Sequence, residues 1–100
     1  MASRRLLSPT EVVTRLQAIA GWQPCGSGAD VAIEREFRFE DYHRTMAFVN
    51  AVAYIAHRKD HHPDLSVHYN RCVVRFSTHS AKGLTGLDFE CASLVDGLAA

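Results

Sequence analysis

The sequence predicts an α+β domain: a four-stranded antiparallel sheet with three helices packed mainly on one face, in the order α-β-β-α-β-β-α. Three observations carry this expectation. Residues 31–39 and the paired runs ending at Tyr69 and beginning at Cys72 alternate apolar and polar side chains with period two, the pattern of strands buried on one face. Residues 41–58 repeat apolar side chains at helical spacing over a wide arc. Helix-start signals bracket both ends of the chain, and helices segregated to one face of an antiparallel sheet are the stable way to bury such elements.

Taken in order, Ser8-Pro9-Thr10-Glu11 opens the first helix. Ser8 is the N-cap, Pro9 suits the first helical position and Glu11 completes a capping box. Val12, Val13, Leu16, Ile19 and Ala20 form its predicted apolar face, and Gly21 its stop. Trp22 begins a short strand that ends in the turn-rich Gly26-Ser27-Gly28. In the next strand Val31, Ile33, Phe37 and Phe39 share a face interrupted by Arg35, with Glu34, Glu36 and Arg38 opposite.

Asp41 begins the longest helix. Tyr42, Met46, Val49, Ala53 and Ala56 mark one stripe, and Phe48, Val52 and Ile55 an adjacent one. His57, Arg58, Lys59 and Asp60 are its polar exit, where cationic groups suit the helix C-terminus. Leu65, Val67 and Tyr69 then alternate with Ser66, His68 and Asn70, and Cys72, Val74 and Phe76 with Val73, Arg75 and Ser77. With Asn70-Arg71 as a two-residue hairpin loop, Asn tolerating positive φ, residue 69 faces 72, 67 faces 74 and 65 faces 76. The same register sets His62 beside His79, with Pro63 loosening the pairing there. Thr85 to Asp88 forms a capping-box-like start to the last helix, whose Leu87, Cys91, Leu94 and Leu98 recur at helical spacing. The sheet keeps a partly polar face and an open edge, which a dimer would cover.

One hundred residues make one domain, spanning residues 1–100. Hydrophobic residues make up 47% and formal charge is zero, so no basic stripe recommends a nucleic-acid surface. Cys25, Cys72 and Cys91 are odd in number and lack CxxC spacing, as expected of free thiols in a reducing compartment. Residues 1–7 hold two arginines but no signal-peptide apolar core, and no run is long enough to span a membrane. The expected location is cytoplasmic.

The chemistry-bearing stretch runs from His57 to Asp88 and holds five of the six histidines: His57, His61, His62, His68 and His79. Imidazole is the side chain whose free pKa, about 6.5, lies nearest neutrality. Clustered histidines point to proton transfer or to a metal. His57 and His61 are i,i+4 if the helix continues so far, with His62 or His79 as a third ligand. Against a metal, no cysteine pair or carboxylate has zinc spacing, and Pro63 favours a helix end before His61. Proton transfer needs only two or three imidazoles around a small concave site. His43 and His68 have no special context, and Asp60 and Asp88 serve either as helix-end charges or as groups orienting an imidazole.

The pattern His57-x3-His61-His62-Pro63-x5-Tyr69-x9-His79-x8-Asp88, with Ser77-Thr78-His79 and Gly83-Leu84-Thr85, resembles the pterin-4a-carbinolamine dehydratase family over nearly the whole chain. The resemblance implies dehydration of a 4a-hydroxytetrahydropterin, such as 4a-hydroxytetrahydrobiopterin, to quinonoid dihydropterin plus water, recycling the cofactor of aromatic amino acid hydroxylases. It implies no metal or organic cofactor, and a homodimer or homotetramer. By position it makes His61, His62 and His79 catalytic, and places Asp60, Ser77, Thr78, Ser80 and Asp88 with them as substrate-binding residues. His57 stands where many members carry an acidic residue. Some members also act as dimerisation cofactors of a homeodomain transcription factor, so a non-catalytic binding module is the competing class.

Overall fold

From the central strand β4 (Arg71–Phe76), Cys72, Val74 and Phe76 point into the core and are fully buried, while Arg71, Val73 and Arg75 point the other way. The computed structural model describes residues 4–99 and orders its elements as the sequence predicts. They are α1 (Pro9–Gln17), β1 (Gln23–Cys25), β2 (Ala32–Arg38), α2 (Tyr42–Lys59), β3 (Asp64–His68), β4 and α3 (Gly86–Asp96), with single 3-10 turns at Gly28–Asp30 and His79–Ala81. The sheet is antiparallel throughout, in the order β1-β2-β4-β3.

Helices cover the face that carries Ile33, Phe37, Cys72, Val74 and Phe76. Phe48, Val52 and Ala56 of α2 and Leu87, Cys91, Ala92 and Val95 of α3 close on it. Each large apolar side chain so buried contributes roughly 1.5–3 kcal/mol. Arg35 breaks the apolar alternation of β2 because it pairs with α3. Its Nη1 donates to Asp96 Oδ1 at 2.8 Å, and Trp22 Nε1 donates to the same oxygen at 2.8 Å. Its guanidinium also lies 4.6 Å from the centre of the Phe37 ring.

The hairpin loop differs from the expected one. Leu65 pairs with Val74, Val67 with Cys72 and His68 with Arg71, so the loop is Tyr69-Asn70 rather than Asn70-Arg71. The shift is by two residues, which leaves every side chain on its expected face. No positive φ is used, since the non-glycine residues with positive φ among those described are Asp60 and Lys82. Tertiary contacts hold the turn instead. Thr45 Oγ1 donates to the Tyr69 carbonyl at 2.9 Å, the Phe39 N–H donates to that of Asn70 at 2.9 Å, and the Tyr69 ring stacks on Tyr42 at 6.3 Å.

The helix faces are narrower than periodicity suggests. α1 keeps the predicted capping box but ends at Gln17, with Val12 and Leu16 packed against the core and Val13 and Ala20 exposed. The buried stripe of α2 is Thr45-Phe48-Val52-Ala56, and Tyr42 and Ala53 lie outside it. On α3, Leu87 and Cys91 are buried but Leu94 is exposed, as is Leu98 just beyond the helix.

Candidate active site

The site forms where α2 hands the chain to β3. The helix ends in a two-bond cap: the Asp60 N–H donates to the His57 carbonyl at 3.3 Å, and the His61 N–H to the Ala56 carbonyl at 3.1 Å. This motif places its left-handed residue at Asp60, with φ 49° and ψ 45°, where glycine is usual. Pro63 follows and prevents further helix. The reversal turns His61 inward, 7% exposed, with its ring stacked on Phe76 at a centroid distance of 5.8 Å and an interplanar angle of 11°.

Behind His61 lies Asp88, at the third position of α3. Its Oδ1 is 2.5 Å from His61 Nε2, and its Oδ2 accepts from Thr78 Oγ1 at 2.8 Å and from the Thr85 N–H at 2.9 Å. Thr78 and Thr85 hydroxyls are in turn 2.9 Å apart. Asp88 is 0% exposed, and a buried carboxylate is tolerable only when bonded in this way. With Asp88 accepting, the proton of the pair sits on His61 Nε2. His61 Nδ1 has no partner among the described residues.

A cavity of about 300 Å³ opens over this pair. Asp60, His61 and His62 line it from the α2–β3 junction, Ser77, Thr78, His79 and Ser80 from the segment after β4, and Arg4 from the N-terminal arm. Histidines 17 residues apart, His62 and His79, thus share one wall, and both are exposed to solvent, although the observed hairpin register, continued, sets His62 opposite Ser77 and not His79. A bridge between Thr78 and Gly83 closes the loop that presents His79. The volume sits near the lower end of the ~300–1,000 Å³ usual for small-molecule sites.

Seven of the eight residues expected in or around the site therefore line one cavity. Asp88 does not; it touches His61 from the protein side and has no exposed atom to offer a ligand. Thr78 lines the wall, but its hydroxyl is engaged by Asp88 and Thr85. His57 is an exposed residue in the last turn of α2 and is not among the lining residues, and His68 bonds Ser66 on β3 at 3.0 Å. Because α2 ends at Lys59, His57 and His61 do not form a helical i,i+4 pair. Among the described residues no group of three or more His, Cys, Asp or Glu is arranged to hold a metal. Cys91, one turn beyond Asp88, is fully buried, and burial first, then the Glu90 and Asp88 charges, push its thiol up to about 11. That makes it a packing residue rather than a nucleophile. Arg4 had no signal in the sequence, lying 56 positions from the residue it bonds.

Comparison with known proteins shows the family of the chain. The family model described as Pterin 4 alpha carbinolamine dehydratase matches residues 5–98. The chain belongs to this family. A protein of Paracidovorax citrulli named "Putative pterin-4-alpha-carbinolamine dehydratase" is 59% identical over 98% of this chain and 84% of its own length. One of the same name from Xanthomonas campestris is 55% identical over 87% of this chain and 72% of its own. A crystal structure described as a transcriptional coactivator/pterin dehydratase from Brucella melitensis has a TM-score of 0.88 at 35% identity, covering 97% of this chain and all of that one. A pterin dehydratase-like protein described as a RuBisCO assembly factor in the alpha-carboxysome has a TM-score of 0.69 at 22% identity, over 80% of this chain and 90% of its own; this is a likeness of fold alone. Among the described residues no helix is long and apolar enough to cross a membrane.

Proposed function

We propose that this protein dehydrates a 4a-hydroxytetrahydropterin, 4a-hydroxytetrahydrobiopterin or a relative, to quinonoid dihydropterin plus water by histidine acid–base catalysis. This activity recycles the pterin cofactor of aromatic amino acid hydroxylases. The observation that carries the reading is the convergence of His61, His62 and His79 on one cavity, with His61 held by a buried carboxylate.

The chemistry needs two proton movements. The C4a–O bond breaks with its electron pair on oxygen, so one imidazole must donate a proton to release water. The N5 proton passes to a second imidazole while the N5 electrons close the new double bond to C4a. His61 and His79 share these roles, and His62 mainly holds the substrate. Groups placed in this way supply roughly 10²–10⁴-fold each. Asp88 acts through His61 as a positioning residue, and Asp60, Ser77, Thr78 and Ser80 line the pterin site. No step passes through a metal or an organic cofactor.

We further read the protein as a cytoplasmic homodimer or homotetramer, with residues 1–100 as one domain. Support for assembly comes from the outer edge of β3, unpaired among the described residues, and from Tyr54, Leu94 and Leu98, all exposed on or near α2 and α3. The same helical surface would serve the competing reading, a non-catalytic dimerisation module. The deciding experiment generates the 4a-hydroxypterin enzymatically and follows quinonoid product by absorbance, with chelator present. Acceleration over the spontaneous rate is expected. No acceleration, with a protein partner still retained after His61, His62 and His79 are all replaced, reverses the order of the two readings.

A further inference from the structure

The N-terminal arm reaches the site without any sequence motif to announce it. Leu6 bridges Thr85, and the Leu7 N–H donates to the Leu84 carbonyl at 2.8 Å, so the arm is tied to the turn that starts α3. From there Arg4 extends to the other side of the cavity, where its Nη2 donates to the carbonyl of Asp60 at 2.5 Å. Arg4 lines the cavity, makes no ion pair among the described residues, and leaves its remaining N–H groups without a partner there.

The wall is otherwise poor in fixed donors. His62, His79, Ser77 and Ser80 can each donate or accept, and the Thr78 hydroxyl is engaged by Asp88. Arg4 alone among the lining side chains can only donate. A ligand edge that meets a donor-only group must present an acceptor. On a pterin ring the strongest such acceptor is the ring carbonyl oxygen.

Resting on the pterin reading above, we propose that Arg4 is a specificity-determining residue: its free N–H groups take the ring carbonyl, so that the site selects 4-oxo over 4-amino pteridines. A 4-amino group turns a donor toward a donor, and a site that leaves a polar group unpaired rejects the analogue strongly.

The test measures binding of a 7,8-dihydropterin and its 2,4-diamino analogue by calorimetry to the native protein, R4Q and R4K. The native protein should favour the 4-oxo compound. R4Q should weaken that compound about tenfold, the loss of one charge-assisted bond, while changing the 4-amino compound less than about twofold. R4K, which keeps the charge but not the fork of donors, should fall between. Equal losses for both compounds would make Arg4 only a latch on the Asp60 carbonyl and overturn the proposal. A native protein that binds neither compound would instead defeat the pterin reading itself.

Discussion

His61 and Asp88 stand 27 residues apart in sequence, yet their side chains meet at 2.5 Å, and Asp88 has no contact with solvent. One carboxylate oxygen serves the imidazole; the other closes the N-terminus of α3 and takes the Thr78 hydroxyl. The hold on His61 and the cap of α3 are therefore one bond network.

Asp88→Asn should separate the two roles. An amide cannot accept on both sides. If its NH₂ group turns to His61, the imidazole must accept at Nε2 and carry its proton on Nδ1, the wrong tautomer. A fall in kcat of up to about 10⁴-fold with little change in KM is expected, the loss that follows when the carboxylate fixing a catalytic imidazole's tautomer becomes an amide. Asp88→Ala should in addition destabilise by about 3–5 kcal/mol, since buried donors lose their acceptor. Steady-state kinetics beside thermal melts checks both; an unchanged kcat in a folded Asn variant would remove Asp88 from the mechanism.

His61→Ala and His79→Ala, made separately, should each lower kcat by about 10²–10⁴-fold while binding of a stable dihydropterin changes little. His62→Ala should act mainly on KM. Turnover that survives both of the first two replacements would end the acid–base assignment.

Much of this site was legible because strand parity and the His-His-Pro stop act locally. Pro63 ended α2 before His61; His62 and His79 do line one cavity, but the register expected to set them opposite each other is off by two residues. The hairpin loop was not legible. Loops at 69–70 and 70–71 give registers two residues apart, and both bury the same side chains; the choice is made by Thr45 and Tyr42 on α2, which no local pattern reveals. Helical periodicity likewise marks an arc, not its edges, so Val13, Tyr42 and Leu94 fell on the wrong side. Asp88 looked like a cap at its spacing and is one; that it also reaches His61 depends on how α3 packs beneath the junction.

Asp60→Gly offers a trade of function for stability. Asp60 holds φ 49°, a conformation that costs an L-residue roughly 1 kcal/mol and glycine almost nothing. After glycine's greater loss of chain entropy, a net gain of about 0.5 kcal/mol is expected, a rise of a few degrees in Tm for a domain of this size. The same change removes a carboxylate from the cavity wall, so pterin binding should weaken. A lower Tm would mean that the Asp60 side chain supports the fold, contrary to its exposure.

Thiol labelling should read the burial of the three cysteines in order. All are free; Cys72 and Cys91 are buried, and Cys25 is partly exposed. Burial raises each thiol above its ordinary range, with Glu34 adding to the effect at Cys25. At neutral pH one slow alkylation, at Cys25, is expected in the native protein, and three fast ones in denaturant. Mass spectrometry of the modified peptides identifies the site; native labelling at Cys91 would show that α3 opens.

Acid should loosen the N-terminal helix. The hydrogen bonds from Arg5, then the backbone N–H of Ser8, lower the Glu11 carboxyl from its ordinary 4.5 to about 2. Because the folded value lies below the unfolded one, the stabilisation is fully present above pH 4.5 and is lost as pH falls toward 2. The capping box of α1 depends on this carboxylate, whose Oε1 accepts from the Ser8 N–H at 2.9 Å. Both partners are exposed at the surface, so the effect is small and screened by salt. Thermal melts of the native protein and Glu11→Gln from pH 7 down to about 2 should show a Tm gap that is widest near neutrality, shrinks through the acid range and shrinks again in high salt. A gap that does not change with pH would assign the role of Glu11 to packing rather than to its charge.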